Sequence, residues 1–271
     1  MGTVVSFDVP DWAGRDAGSG AVLDRVVQWL HWVDATFSPY RDDSDVSRFG
    51  RGSLGQAIRW LHWVDATFSP YRDDSDVSRF GRGSVPLEQC VPELAEVLQA
   101  CAAISARSGG YFTTTPGGRF DPSGYVKGWA VERAAAILTA GGSAEHSVNG
   151  GGDVQCTGDR LWRIGIADPL RPGSLALVVT GQDFAVATSG VAERGAHIVN
   201  PHTGQPATGL ASLTVVGARL AATDAYATAA FAMGPAARDW MESLDGYEAF
   251  AVIAGGQVWQ TSGFRAYLAS A

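Results

Sequence analysis

The sequence predicts an α+β domain in which antiparallel strands form one layer and helices pack on it in separate groups. Three observations carry this reading. Short apolar runs follow one another between residues 146 and 217, split by Gly, Asp and Pro turns. The amphipathic and Ala-rich runs lie before and after that block, whereas a parallel βαβ sheet would alternate them with each strand. No Pro- or Ser-rich linker breaks the 271 residues, so 1–271 is read as a single domain.

Thr3–Val9 alternates as a strand. In Ala21–Phe37 the residues Val22, Leu23, Val26, Val27, Leu30, Val33 and Phe37 keep a helical period and predict an amphipathic helix. Pro92–Ser105 predicts a helix ended by Ser108-Gly109-Gly110. Pro122, Ser123 and Gly124 predict a turn. Helix formers over Lys127–Ala140 predict a helix that Gly141-Gly142 stops. Short strands are expected at His146–Asn149, Asp153–Thr157, Trp162–Ala167, Leu175–Thr180, Phe184–Ala187, Ala196–Val199 and Ser212–Gly217. Ala218–Met233 is helical, with alanines that permit close packing, and Ala236–Leu244 is a short helix. Tyr247–Ala254 and Gln257–Thr261 form a closing hairpin.

One stretch occurs twice. Residues 29–53 (WLHWVDATFSPYRDDSDVSRFGRGS) recur unchanged at 60–84. Solenoid repeats diverge and need about three units to share a core, so an identical pair reads as a tandem duplication inside one domain. A single-copy fold has one slot for the segment, so one copy must sit outside it. The upstream amphipathic run favours the first copy in the slot. The second copy connects more naturally to the helix at Pro92–Ser105. Deleting one 31-residue unit is expected to leave a protein at least as stable.

A net charge of −8 without a basic patch argues against a nucleic-acid partner. Three cysteines (Cys90, Cys101, Cys156) without a C-x-x-C pair argue against a disulfide framework or a zinc site and read as core thiols. No run approaches the ~20 apolar residues of a membrane span. The opening Met1-Gly2-Thr3-Val4-Val5 lacks the basic and apolar regions of a signal peptide, which reads as cytoplasmic. An exported or membrane-associated form is the alternative if a leader has been trimmed.

Several motifs could carry chemistry. Asp121 and Lys127 flank an expected helix start, whose unpaired N–H groups and dipole suit phosphate oxygens. That pair reads either as a nucleotide site with a metal or as an ordinary connection with Lys127 solvated. Asn149-Gly150-Gly151-Gly152-Asp153 either lets a backbone approach a ligand or is a tight hairpin whose Asp bonds its own turn. Ala187-Thr188-Ser189-Gly190 offers hydroxyls to a phosphate or ribose, or forms a turn. His197 and His202 share one loop with no clear third zinc ligand. Asp224 and Thr228 stand at i,i+4 on a helix, so both oxygens face one side. Such hard donors suit Mg²⁺. The alternative is an N-cap Asp with a back-bonded Thr.

Their order is more telling than any one of them. Met1-Gly2-Thr3, Phe-Ser-x-Tyr-Arg-x-Asp-Ser at Phe37–Ser44 and again at Phe68–Ser75, and Gly109-Gly110-x-Phe112 come first. Asp121–Gly128, Asn149–Asp153, Ala187–Gly190, His197–Pro206 and Ala222–Thr228 follow. Together they resemble the ApbE family, the FAD:protein FMN transferases, from Met1 to about Gly234 with one duplicate set aside. The resemblance implies an ApbE-like, T-fold-related architecture of mainly antiparallel sheets with flanking helices. It also implies Mg²⁺-dependent transfer of the FMN half of FAD to a Thr or Ser hydroxyl of a partner flavoprotein, releasing AMP. The acceptor would carry a motif near Asp-Gly-x-Thr-Gly-Ala-Thr.

By the same likeness Asp224, Thr228 and the Gly124 carbonyl would hold the metal. Met1, Tyr40 or Tyr71, Tyr111, Phe112, Thr113, Asp121, Lys127 and Ile198 would lie against FAD. Asp224 would serve catalysis through the metal, and His197 is the candidate base for the acceptor hydroxyl. Three positions depart from the family pattern: Thr113 stands where it commonly has Asp, Glu132 where it often has Asp, and Asn200 where His-Ile-x-Asp-Pro has Asp. A Mg²⁺-dependent FAD pyrophosphatase and a non-catalytic FAD-binding module are the competing readings.

Overall fold

The computed structural model describes residues 5–8 (as backbone), 52–191, 195 and 198–269. The α+β expectation holds. Seven strands form one sheet in the order β1-β2-β3-β6-β9-β10-β11. They are β1 (Val5–Asp8), β2 (His146–Gly150), β3 (Asp153–Thr157), β6 (Ala185–Gly190), β9 (Leu210–Gly217), β10 (Glu248–Ile253) and β11 (Val258–Gln260). Every pairing in this sheet is antiparallel. A separate hairpin joins β4 (Trp162–Ala167) to β5 (Leu175–Gly181), and a two-residue ribbon joins β7 (Val199–Asn200) to β8 (Gln205–Pro206).

Both faces of the sheet are covered, because its strands alternate two apolar sets. Val148, Ala185, Ala187, Leu213, Val215, Ala249 and Ala251 belong to the core shared with the helices. Val154, Cys156, Val186, Val216, Phe250 and Val252 face the β4–β5 hairpin, meeting Trp162, Ile166, Val179 and Phe264. The helices are α1 (Ser53–Phe68), α2 (Asp76–Gly81), α3 (Pro92–Arg107), α4 (Ser123–Ala140), α5 (Leu220–Met233) and α6 (Ala237–Glu242). Among the described residues no helix is long and apolar enough to cross a membrane. All three cysteines are free thiols, and Cys101 and Cys156 are buried.

The central helix pair is α4 and α5. Nearly every residue of α5 is buried, as its small apolar composition all round predicts. Its first turn is capped from a distance: Gln155 Oε1 accepts from Leu220 N at 2.9 Å and Glu132 Oε2 from Ala221 N at 3.0 Å. Glu132 also pairs with Arg219. Asp224 therefore stands in the second turn and is not the N-cap.

Three expectations are corrected. Helix α4 begins at Ser123, one turn before Lys127, because Pro122 O takes the N–H of Tyr125 at 3.0 Å and of Val126 at 3.1 Å. Strand β6 runs on to Gly190, so Thr188 and Ser189 lie inside a strand, with Thr188 Oγ1 2.8 Å from Thr214 Oγ1 on β9. The duplicate in the core slot is the second copy. Leu61, Val64, Phe68 and Val77 are buried there, and Trp60 Nε1 donates to Ala130 O at 3.0 Å. Trp60, Trp63, Phe68 and Trp129 form one aromatic cluster.

The physical reason for the second copy lies downstream. Asp76 Oδ2 accepts from Val91 N at 2.8 Å, one residue before α3, and Arg119 donates to Pro70 O. Residues 85–91 make that connection short. Ser53–Arg59 also supplies an apolar first turn of its own, with Gly55 and Ala57 buried. The first copy through residue 51, and the helix expected at Ala21–Phe37, lie outside the described residues.

Candidate active site

The site forms where α4 crosses α5. Gly124 and Gly128 stand at i,i+4 on α4, facing Asp224 and Thr228 at i,i+4 on α5. A Cβ on Gly128 would fall 2.6 Å from Leu220 O and 2.8 Å from Asp224 Cβ, so the helices approach this closely only with glycine there. A Cβ on Gly124 would fall 3.5 Å from Thr228 Cγ2 and 3.7 Å from its Oγ1. The first turn of α4 thus lies directly on Thr228, and the fold brings together all three expected metal-binding residues. The buried Phe112 ring supports Gly124 from below, 3.2 Å from the same Cβ position. Expected against FAD, Phe112 is part of the core packing.

Asp224 is 4% exposed. Its Oδ2 accepts from Gly128 N at 2.9 Å and lies 3.0 Å from Lys127 Nζ. Lys127 also pairs with Asp153, which is 1% exposed and whose Oδ1 accepts from Thr188 N at 2.9 Å. Lys127 is therefore not at the helix start: it sits in the second turn of α4 and, though partly exposed, pairs with two carboxylates. The three groups carry one positive and two negative formal charges.

Asp153 escaped the sequence reading, which offered it to its own turn. The turn is closed by Asn149, whose Oδ1 accepts from Gly152 N at 3.0 Å. Asp153 opens β3 instead. Val154 belongs to the hairpin side, so strand alternation sends Asp153 and Gln155 to the helix side. That alternation was the signal that could have found both.

Of the remaining expected residues, Asp121 and Thr113 are linked at the start of α4. Asp121 Oδ1 accepts from Ser123 N at 2.9 Å, and its own N–H donates to Thr114 O at 2.7 Å. This ties the 113–115 segment to α4. Thr113 Oγ1 accepts from Thr115 N at 3.1 Å, a local turn made without the carboxylate of the family pattern. Tyr111 meets the His202 ring edge to face with centroids 4.4 Å apart, joining the 109–113 segment to the β7–β8 turn that follows Ile198. His202 has an aromatic partner, and among the described residues no three His, Cys, Asp or Glu could jointly hold a metal. Tyr71 is 84% exposed, on a loop that Arg119 binds at Pro70 O just before Asp121. Met1, Tyr40 and His197 lie outside the described residues.

A model of the ApbE family matches residues 52–119 and 113–251, a stretch that contains the second duplicate and leaves out the first through residue 51. The FAD:protein FMN transferase of Rhodobacter capsulatus is 36% identical over 139 residues, 47% of this chain and 26% of that protein. That of Treponema pallidum is 34% identical over 140 residues, 44% of this chain and 39% of that protein. The matched stretches thus span well under half of these relatives. Among solved structures, the ApbE protein of Thermotoga maritima superposes with a TM-score of 0.73 at 23% identity, covering 80% of this chain and 91% of its own. The flavin transferase ApbE of Vibrio cholerae superposes with a TM-score of 0.71 at 22% identity, covering 86% and 93%. At such identities the likeness speaks to the fold: an antiparallel sheet with flanking helices.

Proposed function

Because the chain belongs to the ApbE family, we propose that it transfers the FMN half of FAD to a Thr or Ser hydroxyl of a partner flavoprotein, with Mg²⁺ at Asp224 and release of AMP. The observation that supports this best is the convergence of Gly124, Asp224 and Thr228 across the α4–α5 contact, with Lys127 on the Asp224 carboxylate.

The residues present fit the metal. Carboxylate, hydroxyl and carbonyl are hard oxygen donors, the class Mg²⁺ takes. Bound Mg²⁺ would neutralise the pyrophosphate and stabilise charge on the leaving AMP.

This chain's own residues then orient and shield. Gly128 N–H fixes the direction of the Asp224 carboxylate. Phe112 closes the floor under Gly124 against water. Asp121 holds the entry of α4 to the 113–115 segment, on whose near side Tyr111 stands, and Tyr71 offers an exposed ring for stacking on a flavin or adenine. The nucleophile belongs to the acceptor, so none is needed here. His197, which lies outside the described residues, is the candidate base for the acceptor hydroxyl. The test is AMP release from FAD with an acceptor domain present, followed by chromatography. EDTA and Asp224→Ala should each abolish it, and Thr228→Ala should lower it at least tenfold (~1.4 kcal/mol). Full activity of Asp224→Ala would refute the assignment.

A further inference from the structure

We propose that Asp153 is a positioning residue: it is the second seat for the Lys127 ammonium, drawing it off Asp224 when a divalent cation binds there. The inference rests on reading Asp224 as the metal's carboxylate. In the structure Lys127 Nζ is shared, 3.0 Å from Asp224 Oδ2 and ion-paired with Asp153 Oδ2. An ammonium and a divalent cation on one carboxylate repel each other, so a metal at Asp224 needs the ammonium elsewhere. The lysine stem is flexible enough to move its charge by a short distance without moving α4.

Asp153 is built to receive it. Its side chain is 2% exposed, and its Oδ1 is fixed by the Thr188 N–H of β6. It stands on β3, so its position is set by the sheet and not by either helix that carries Lys127 or Asp224. In the metal-free protein the shared ammonium lies between two buried carboxylates that would otherwise repel. With the metal in place, Lys127 retains a full partner. Without Asp153, Asp224 would be the only carboxylate among the described residues that pairs with Lys127, and the ammonium would compete with the metal for it.

Mg²⁺ alone, without flavin, is titrated into the whole chain by calorimetry and by the rise in melting temperature. Asp153→Asn keeps an oxygen for the Thr188 N–H and removes only the charge. It should weaken Mg²⁺ binding about tenfold. Lys127→Met removes the competitor at similar length and should tighten binding by a similar factor. A merely structural role would weaken binding in both. Asp153→Asn binding as tightly as the parent, or a folded Lys127→Met binding more weakly, overturns the inference. If Asp153→Asn does not fold, the direction seen for Lys127→Met decides. Asp224→Ala separates the premise: loss of Mg²⁺ binding there with Asp153→Asn unchanged sinks this inference alone. Mg²⁺ binding indifferent to Asp224→Ala sinks the metal assignment and this inference together.

Discussion

Gly128 donates its backbone N–H to the Asp224 carboxylate at 2.9 Å, across a helix contact that only glycine permits. One residue thus sets both the spacing of α4 and α5 and the direction of the carboxylate assigned to the metal. Fold and site are coupled at this point.

Gly128→Ala tests the coupling. The new Cβ would meet Leu220 O at 2.6 Å, a backbone atom that cannot turn aside. Overpacking of this kind costs about 1–3 kcal/mol, more than the ~1 kcal/mol that alanine gains over glycine in a helix. Urea unfolding should show a net loss, and flavin transfer should fall with it. A net gain in stability would mean that the two helices can part freely.

Removal of residues 22–52 tests the slot. It takes out the first duplicate and keeps Ser53–Ser84, whose helix and loop make the core contacts. The shortened protein should melt at or above the temperature of the parent. A large drop would show that the segment before α1 carries stability of its own.

Within that shortened protein, Phe68→Ala should cost about 3–5 kcal/mol, the usual range for emptying a buried aromatic site. Phe68 is 2% exposed and packs against Trp63 and Trp129. Denaturant midpoints read the effect directly. A cost under about 1 kcal/mol would place the aromatic cluster outside the stabilising core.

High pH should destabilise the fold through the buried Cys101 and the half-buried Tyr125. Burial pushes the Cys101 thiol from 9.0 up to about 12, and burial, then the charge of Glu132, pushes the Tyr125 phenol from 10.0 up to about 12. The folded state favours the neutral form of both, while the unfolded chain ionises first. Their contribution is intact below about pH 9 and is lost as pH climbs towards 12. Melting temperature followed from pH 8 to 12 should fall less steeply in Cys101→Ala than in the parent. Parallel profiles would remove Cys101 from the account.

Much of this was legible in the chain because its signals are local. Successive period-two runs between turns marked the antiparallel sheet, and the Ala-rich run at 218–233 marked α5. The i,i+4 spacing of Asp224 and Thr228 placed two oxygens on one face. What escaped was set by tertiary contact. Gly124 reads as a turn residue, yet it sits in the first turn of α4, where Pro122 O takes the N–H groups of Tyr125 and Val126 and Thr228 of α5 lies close by. Asp153 reads as part of a glycine turn, yet its partners, Lys127 and Thr188, are far along the chain. The two duplicates have identical propensities over their length. Flanking features, the turn at Ser53–Arg59 and the contacts at Val91 and Arg119, hold the second copy in the slot.

The most direct test of the central claim is the mass of an acceptor. The protein is mixed with FAD, Mg²⁺ and an acceptor domain carrying the Asp-Gly-x-Thr-Gly-Ala-Thr motif, and the acceptor is weighed intact. The account predicts a gain of one FMN, lost with EDTA and with Asp224→Ala. AMP released with the acceptor unchanged would contradict it and assign an FAD pyrophosphatase. No cleavage of FAD at all would leave the site to bind flavin without chemistry.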